Sequence, residues 1–236
     1  MPSLDAESRD AVDKFALSIV IPVLNDAQCL GVLLEQLSGF HGETIVADGG
    51  SNDSTLDVAE EFGARVVEAS AGRAKQMNEG AKQAQGSVLL FLHADSILPA
   101  GFDDLIATTT SHHQFQWGRF DVRLSGRALV LRIVEWMMNN RSALTGICTG
   151  DQGIFVKSDR FKQAGGFPEI EIMEDIAFSK RMQRRPYRIQ QPIVTSSRRW
   201  ERNGIFRTIG LMWWLRLRYF FGANPNMLAQ LYRHIR

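Results

Sequence analysis

Ser18-Ile-Val-Ile-Pro-Val-Leu-Asn-Asp26 is the first stretch of the chain with a strong apolar pattern. Its first six residues form a short, mostly β-branched apolar run, the pattern of a strand buried on both faces. Thr44–Ala47 reads as a second strand, Ala64–Val67 as a short third and Ser87–Leu92 (SVLLFL) as a fourth, apolar enough for a central position. Between these runs apolar residues recur at helical spacing. Leu30, Leu33, Leu34 and Leu37 mark a helix from about Gln28 to Ser38, with Asp26 as its expected cap. Ser54-Thr-Leu-Asp57 reads as a capping-box start for a second helix, and Gly72–Ala84 as a third. The alternation β-α-β-α-β-α-β predicts a mostly parallel central sheet with helices on both faces. In such sheets ligands bind beyond the carboxyl ends of the strands.

After Ala100 the pattern loosens. Helices are expected over Gly101–Thr110, Arg127–Asn140, Ser158–Ala164 and Ile176–Arg184, and strands over Gln116–Val122 and Gly153–Val156. From Thr195 the composition turns to arginine and aromatics. The expected organisation is a polar N-terminal extension (1–16), one α/β domain (17–200) and a basic, aromatic helical tail (201–236).

The 236 residues are 44% hydrophobic and 22% charged, with a net charge of +1, which excludes a disordered or fibrous protein. The charge is unevenly placed. Up to Thr195 there are 25 acidic against 19 basic residues; beyond it stand 8 arginines and one acid, Glu201. A cationic tail on an anionic body points to an anionic partner. No nucleic-acid motif accompanies the arginines, so a membrane surface is favoured over nucleic acid. The two cysteines, Cys29 and Cys148, form no CxxC pair and read as reduced thiols. The first fifteen residues are too polar and acidic for a signal peptide. Ile205–Phe221 is interrupted by Arg207, Arg216 and Arg218, too many charges for a transmembrane span. The expected location is the cytoplasm, with peripheral attachment at the inner face of the membrane through the tail.

Three strand ends deliver polar groups to one sheet edge: Pro22-Val-Leu-Asn25, Asp48-Gly-Gly-Ser-Asn-Asp53 and His93-Ala-Asp95. Asp48 and Asp53 also suit plain turn chemistry. His93 and Asp95, two apart, share a side if the strand continues through them, and could then hold a hard divalent cation. Neither GxGxxG nor GxxxxGK[ST] follows the first strand, so phosphate is expected to meet metal and arginines instead.

In this order, Pro22-x-x-Asn25, Ala47-Asp-Gly-Gly-Ser-Asn-Asp-Ser-Thr55, Phe91-Leu-His-Ala-Asp95 and Met173-Glu-Asp175 resemble the landmarks of family 2 glycosyltransferases, which adopt the GT-A fold. The likeness covers about Leu17 to Trp200. Thr145–Gln152 and Ser196–Trp200 resemble, more narrowly, a bacterial subgroup associated with arsenosugar biosynthesis. The resemblance implies an inverting transfer from a nucleotide-sugar donor to an acceptor hydroxyl, assisted by Mg²⁺ or Mn²⁺. It implies Asp175 as catalytic base beside Glu174, and Asp95 with His93 at the metal. Pro22, Asn25, Asp48, Asp53, Arg73, Arg199 and Trp200 would serve the donor nucleotide, and Asp151 and Gln152 the acceptor or donor. The chain departs from the family at His93, where D-x-D has its first aspartate, and at Ser196, where processive members carry the Gln of Q-x-x-R-W. Two rivals stand beside this reading: a sugar-nucleotide pyrophosphorylase, whose glycine-rich loop is absent after the first strand, and a non-catalytic nucleotide-sugar binder docking at a membrane. For the tail, too, two readings stand: a helix packed on the domain, or an attachment to anionic lipid.

Overall fold

A computed structural model describes residues 16–235, without the side chains of Arg199 and residues 233–235. The extension expected over 1–16 lies outside the described residues except for Ala16. Eight strands form one sheet: β1 (Leu17–Val23), β2 (Glu43–Asp48), β3 (Arg65–Glu68), β4 (Val88–Phe91), β5 (Ser96–Ile97), β6 (Trp117–Leu124), β7 (Ile154–Lys157) and β8 (Tyr187–Thr195). Their order is β3-β2-β1-β4-β7-β6-β8-β5. The pairs among β1 to β4 are parallel, as is β6 with β8, while β7 runs antiparallel to both its neighbours and β5 antiparallel to β8.

Alternation along the strands sorts the core onto two faces. Ile19, Ile21, Val46 and Leu90 pack with α1 (Ala27–Gln36), α2 (Thr55–Glu61) and α4 (Phe102–Thr110) through Leu30, Leu33, Ala59 and Ile106. Val20, Leu89, Phe91 and Val156 face α3 (Arg73–Gln83), α6 (Ser158–Gln163) and α7 (Glu174–Arg181) through Met77, Phe161 and Phe178. Gly80 lets α3 lie close on β1: a Cβ there would sit 2.5 Å from Val20 Cγ1.

The expected helix over Arg127–Asn140 runs longer, as α5 (Leu129–Thr145). The caps differ from expectation. Neither Asp26 nor Ser54 makes a side-chain cap bond. Asp53 serves both helices instead, accepting from the backbone N–H of Thr55 (3.0 Å) and of Ala27 (3.4 Å). Strand β8 has no counterpart in the sequence pattern. Its register slips from Phe120↔Ile189 to Asp121↔Pro192, so Gln190 and Gln191 bulge out and interrupt the buried alternation, which resumes in phase at Ile193.

The tail forms three helices, α8 (Arg198–Asn203), α9 (Ile205–Phe220) and α10 (Pro225–Ile235), and they pack on the domain. Trp200, Ile205 and Ile209 meet Val122, Leu131 and Val134, while Leu215 and Leu228 meet Met173 and Ile176.

A charged network fixes β6 beneath α5. Arg119 is fully buried and pairs with Asp121, whose carboxylate also takes the Nε and Nη2 of Arg188 at 2.9 and 2.7 Å. Arg119 Nη2 donates to the Asn139 carbonyl (3.0 Å), and the Asn139 side chain clips both backbone groups of Val122. Removing one partner of a buried pair leaves an uncompensated charge, at a cost of about 3–5 kcal/mol. Asp121→Ala should therefore lower the unfolding free energy measured in urea by an amount in that range; a loss below about 1 kcal/mol would show that Arg119 finds another counter-charge.

Candidate active site

The carboxyl ends of β1, β2 and β4 open a crevice because β4 parts from β1. Their ladder ends at Val20↔Phe91, and Leu92 N–H makes the last bond to the Val20 carbonyl (3.1 Å). Pro22, which has no N–H, falls where that ladder has already stopped. It lines a small cavity with Arg73, His93, Gly150, Glu174 and Asp175.

The β1 and β2 loops are tied into one unit. Asn25, with φ +51°, donates its N–H to Ser51 Oγ (2.8 Å) and accepts from Asn52 N–H at Oδ1 (2.8 Å). Asp48 is 2% exposed; its Oδ2 accepts from the N–H groups of Gly50 (2.8 Å) and Ser51 (2.9 Å), and its Oδ1 is buried without a partner. Gln76 of α3 escaped the sequence reading. Its buried amide donates to the carbonyls of Val23 (2.6 Å) and Ala47 (3.0 Å), holding the two strand ends side by side. A lone glutamine in a helix reads as solvated surface, and only the close approach of Gly49, whose Cβ would lie 3.0 Å from Gln76 Nε2, betrays it. Asp53 spends its carboxylate on the two helix starts. Its hydrogen bond from the Thr55 hydroxyl is the main cause holding it below the usual carboxylate value.

From the other half of the chain, α7 brings Glu174 and Asp175 to the same edge. Both lie in its first turn, entered through Met173 in the left-handed region (φ +68°). Asp175 Oδ2 accepts from Gly150 N–H (2.9 Å) and Oδ1 from Ile176 N–H (2.7 Å). Glu174 is 2% exposed and pairs with Arg73 Nη1 at 3.2 Å. Burial pushes the Glu174 carboxyl up to about 7, with Arg73 opposing and Asp175 adding to the rise. For Arg73, burial pulls down, but Glu174, Asp175 and Asp151 outweigh it and hold the guanidinium above its ordinary value.

Beside this crevice lies a wide cavity of about 900 Å³. Asp95, Asp151, Trp200, Arg141 of α5 and Arg216 of α9 are among its walls. The sequence expectations divide accordingly. Arg73, Pro22, His93, Glu174 and Asp175 meet in the small crevice; Asp95, Asp151 and Trp200 meet in the wide one. The Arg199 side chain lies outside the described residues. Gln152 is fully buried, its Oε1 accepting from Thr149 N–H (3.2 Å) and its Nε2 donating to Ser142 Oγ (2.9 Å). It holds the Gly150–Gln152 turn onto α5, and that burial does not suit the ligand contact expected of it.

The shared orientation expected of His93 and Asp95 is not realised. Strand β4 stops at Phe91, a turn follows through Asp95, and the two residues line different cavities. His93 instead packs on Gly150, where a Cβ would come within 2.3 Å of its Nε2. Among the described residues no three His, Cys, Asp or Glu side chains converge on a cation. Asp95 on the wide cavity nevertheless fits the arrangement in which a protein carboxylate, phosphates and waters complete a magnesium-type shell.

The crevice, the edge that carries it and the order of strands define a GT-A architecture. The chain superposes on Staphylococcus aureus TarS 1-349 with a TM-score of 0.66, at 19% identity, over 78% of this chain and 61% of that one. It superposes also on glucosyl-3-phosphoglycerate synthase from Mycobacterium tuberculosis, solved with Mn²⁺, UDP-glucose and phosphoglyceric acid, with a TM-score of 0.59 at 17% identity, over 83% and 77% of the two chains. Residues 18–125, a little under half of the chain, match the model of glycosyl transferase family 2. The chain is 40% identical over 92 residues to PGL/p-HBAD biosynthesis glycosyltransferases of Mycobacterium tuberculosis and Mycobacterium bovis, a match over 34% of this chain. That match spans 36% of those relatives' length.

The raised Glu174 carboxyl makes a signed prediction. Between its ordinary value of 4.5 and about 7 the folded chain keeps a proton that the unfolded chain has released. Stability from this group is therefore lost as pH rises through that window. Relative to Glu174→Gln, the wild type should lose on the order of 2 kcal/mol between pH 5 and pH 8, read from urea midpoints. A change of the opposite sign would mean that the Arg73 pairing, not burial, governs the group.

Proposed function

We propose that the protein is an inverting glycosyltransferase that moves a sugar from a nucleoside diphosphate sugar to an acceptor hydroxyl, with Asp175 as the general base. The observation that carries this is the posture of Asp175. Two backbone N–H groups hold its carboxylate in the wall of the small crevice, beside Glu174, Arg73 and His93. It takes the proton of the acceptor hydroxyl as that oxygen attacks the anomeric carbon and the diphosphate departs. The phosphate leaving group needs no general acid, so one base suffices. Glu174 and Arg73 fix the turn beneath it.

Asp48 is the reading's acceptor for a ring N–H of the nucleotide base, supported by its orphaned buried Oδ1. TarS was solved with UDP and with UDP-GlcNAc, and the synthase with UDP-glucose, which favours uridine as that base. Asp95 would hold a divalent cation, and the Mn²⁺ named with the synthase supports the choice of metal class. Such an ion supplies neutralisation of the charge that grows on the leaving diphosphate. The narrower likeness to the arsenosugar subgroup rests on two segments, Thr145–Gln152 and Ser196–Trp200.

Asp175→Asn should leave UDP binding in place and cut transfer by ~10²–10⁴-fold, the worth of a positioned base. Asp95→Ala in the same assay should remove the gain in UDP affinity that Mn²⁺ brings, by calorimetric titration. Transfer by Asp175→Asn above about a tenth of wild type would move the base elsewhere.

A second reading concerns the tail, as a peripheral attachment to anionic lipid. No helix among the described residues is long and apolar enough to cross a membrane. Phe206, Trp213, Leu217 and Phe220 form an exposed stripe along α9, with Trp214 and Phe221 beside it. Arg218 stacks over the Trp214 ring at 5.3 Å, a pairing of cation and aromatic suited to the headgroup level. Each basic residue near an anionic surface adds ~1 kcal/mol. The chain should float with liposomes in proportion to their phosphatidylglycerol content, and less so at high salt. Trp213→Ser with Phe220→Ser should abolish flotation while keeping the unfolding temperature. Indifference of the wild type to anionic liposomes at low salt would leave the tail as packing alone.

A further inference from the structure

Two cations of the wide cavity have no part in the transfer just described. Arg141 comes from α5 and Arg216 from α9. Arg141 Nη1 donates to the Ile147 carbonyl (3.2 Å), while its Nε and Nη2 are buried without a partner. Arg216 Nε is buried and unpartnered in the same way. Among the described residues neither guanidinium forms an ion pair with a carboxylate. Burial, and next the charge of Arg216, pull Arg141 down to about 10, against the pull of Asp175. Holding two like charges together and partly out of water is unfavourable unless an anion joins them.

The other charged groups on that cavity leave this role open. Arg198 donates to Cys29 Sγ (2.8 Å) and Ser196 Oγ (3.1 Å), and Glu201 accepts from Ser197 Oγ (3.1 Å). Asp26, Asp95 and Asp151 also line it, and of these Asp151 belongs to the turn whose Gly150 orients Asp175. The arginines sit in an apolar frame. Met137, Arg141 and Leu144 follow at one-face spacing along α5, and Met212 and Arg216 along α9. Trp136 and Trp213, both more than half exposed, stand at the rim.

Resting on the glycosyltransferase reading, we infer that Arg141 and Arg216 form a subsite for an anionic group, a phosphate or a carboxylate, carried by the acceptor, whose apolar portion lies along Met137, Leu144, Met212 and Trp213. A guanidinium fork binds either anion through paired N–H donors. The acceptor is favoured over the donor for two reasons. Arg141 lies within electrostatic reach of Asp175, the group that must meet the acceptor hydroxyl. Asn25 and Asp48, where the nucleoside is placed, do not line this cavity, which their loops reach only through Asp26.

The test is calorimetric titration of the intact chain, saturated with UDP and Mn²⁺, with octyl phosphate below its micellar concentration. Octyl phosphate should bind with UDP in place, and octyl glucoside, which keeps the chain and lacks the charge, at least tenfold more weakly. Arg216→Gln and Arg141→Gln should each weaken octyl phosphate about tenfold or more and leave UDP affinity unchanged. Arg216→Gln gives up no hydrogen bond among the described residues, so it remains readable if Arg141→Gln unfolds. Equal octyl phosphate affinity in wild type and Arg216→Gln would overturn the subsite. So would competition between octyl phosphate and UDP together with a loss of UDP affinity in the variants, since the arginines would then serve the donor diphosphate. If UDP fails to bind the wild type, the nucleotide-sugar reading falls, and the same titration without UDP still decides whether the pair holds an anion.

Discussion

The ion pair between Arg73 and Glu174 joins residues 101 positions apart in sequence, and the candidate active site is assembled around it. Arg73 opens α3, which the β1 and β2 strand ends hold through Gln76. Glu174 opens α7, which belongs to the second half of the chain. Arg73 offsets part of the cost of burying this carboxyl group, and the pairing sets where the first turn of α7 can lie. Asp175 then falls beside Gly150 N–H, and the left-handed Met173 before it is held by Leu215 and Leu228 of the tail. A non-glycine residue at positive φ costs on the order of 1 kcal/mol or more, and the apolar contact of Met173 with two tail helices offsets it.

Much of this was legible in the residues. Three of the four runs up to Leu92, those of β1, β2 and β4, are buried strands between two layers of helices, and such strands have no alternation to disguise; β3 is the partly exposed edge strand. The acidic pair at 174–175 reads as a helix start, and it is one. What escaped has physical reasons. The bulge at Gln190–Gln191 puts exposed polar residues in the middle of β8 and so hides its alternation. Asp53 outcompetes Asp26 and Ser54 for the caps because a tight loop folds it back over both helix starts. His93 and Asp95 part company because β4 ends two residues too soon. Gln76 and Gln152 work through backbone groups whose positions only the fold decides, and no pattern in one sequence marks a buried amide.

The tail shows how an awkward spacing resolves. Arg216 and Arg218 are two apart, about 200° around a helix, which rules out one narrow polar face. In α9 they take opposite tasks: Arg216 lines the wide cavity, and Arg218 lies over the Trp214 ring near the exposed aromatic stripe. The helix is therefore three-sided, with one side on the domain core, one on the cavity and one toward solvent. A pull on its outer side would be felt at Met173, and so at the base, through Leu215.

Gly150 bears on how this site can diverge among relatives. The His93 ring fills the space a side chain at 150 would need, and Gly150 N–H is what aims Asp175. Histidine at 93 and glycine at 150 are thus one choice written at two places. Descendants that restore a smaller aspartate at 93 gain room for a side chain at 150, while those that keep histidine are confined to glycine there. The two positions should drift together, and a substitution at either alone should be rare in surviving lineages.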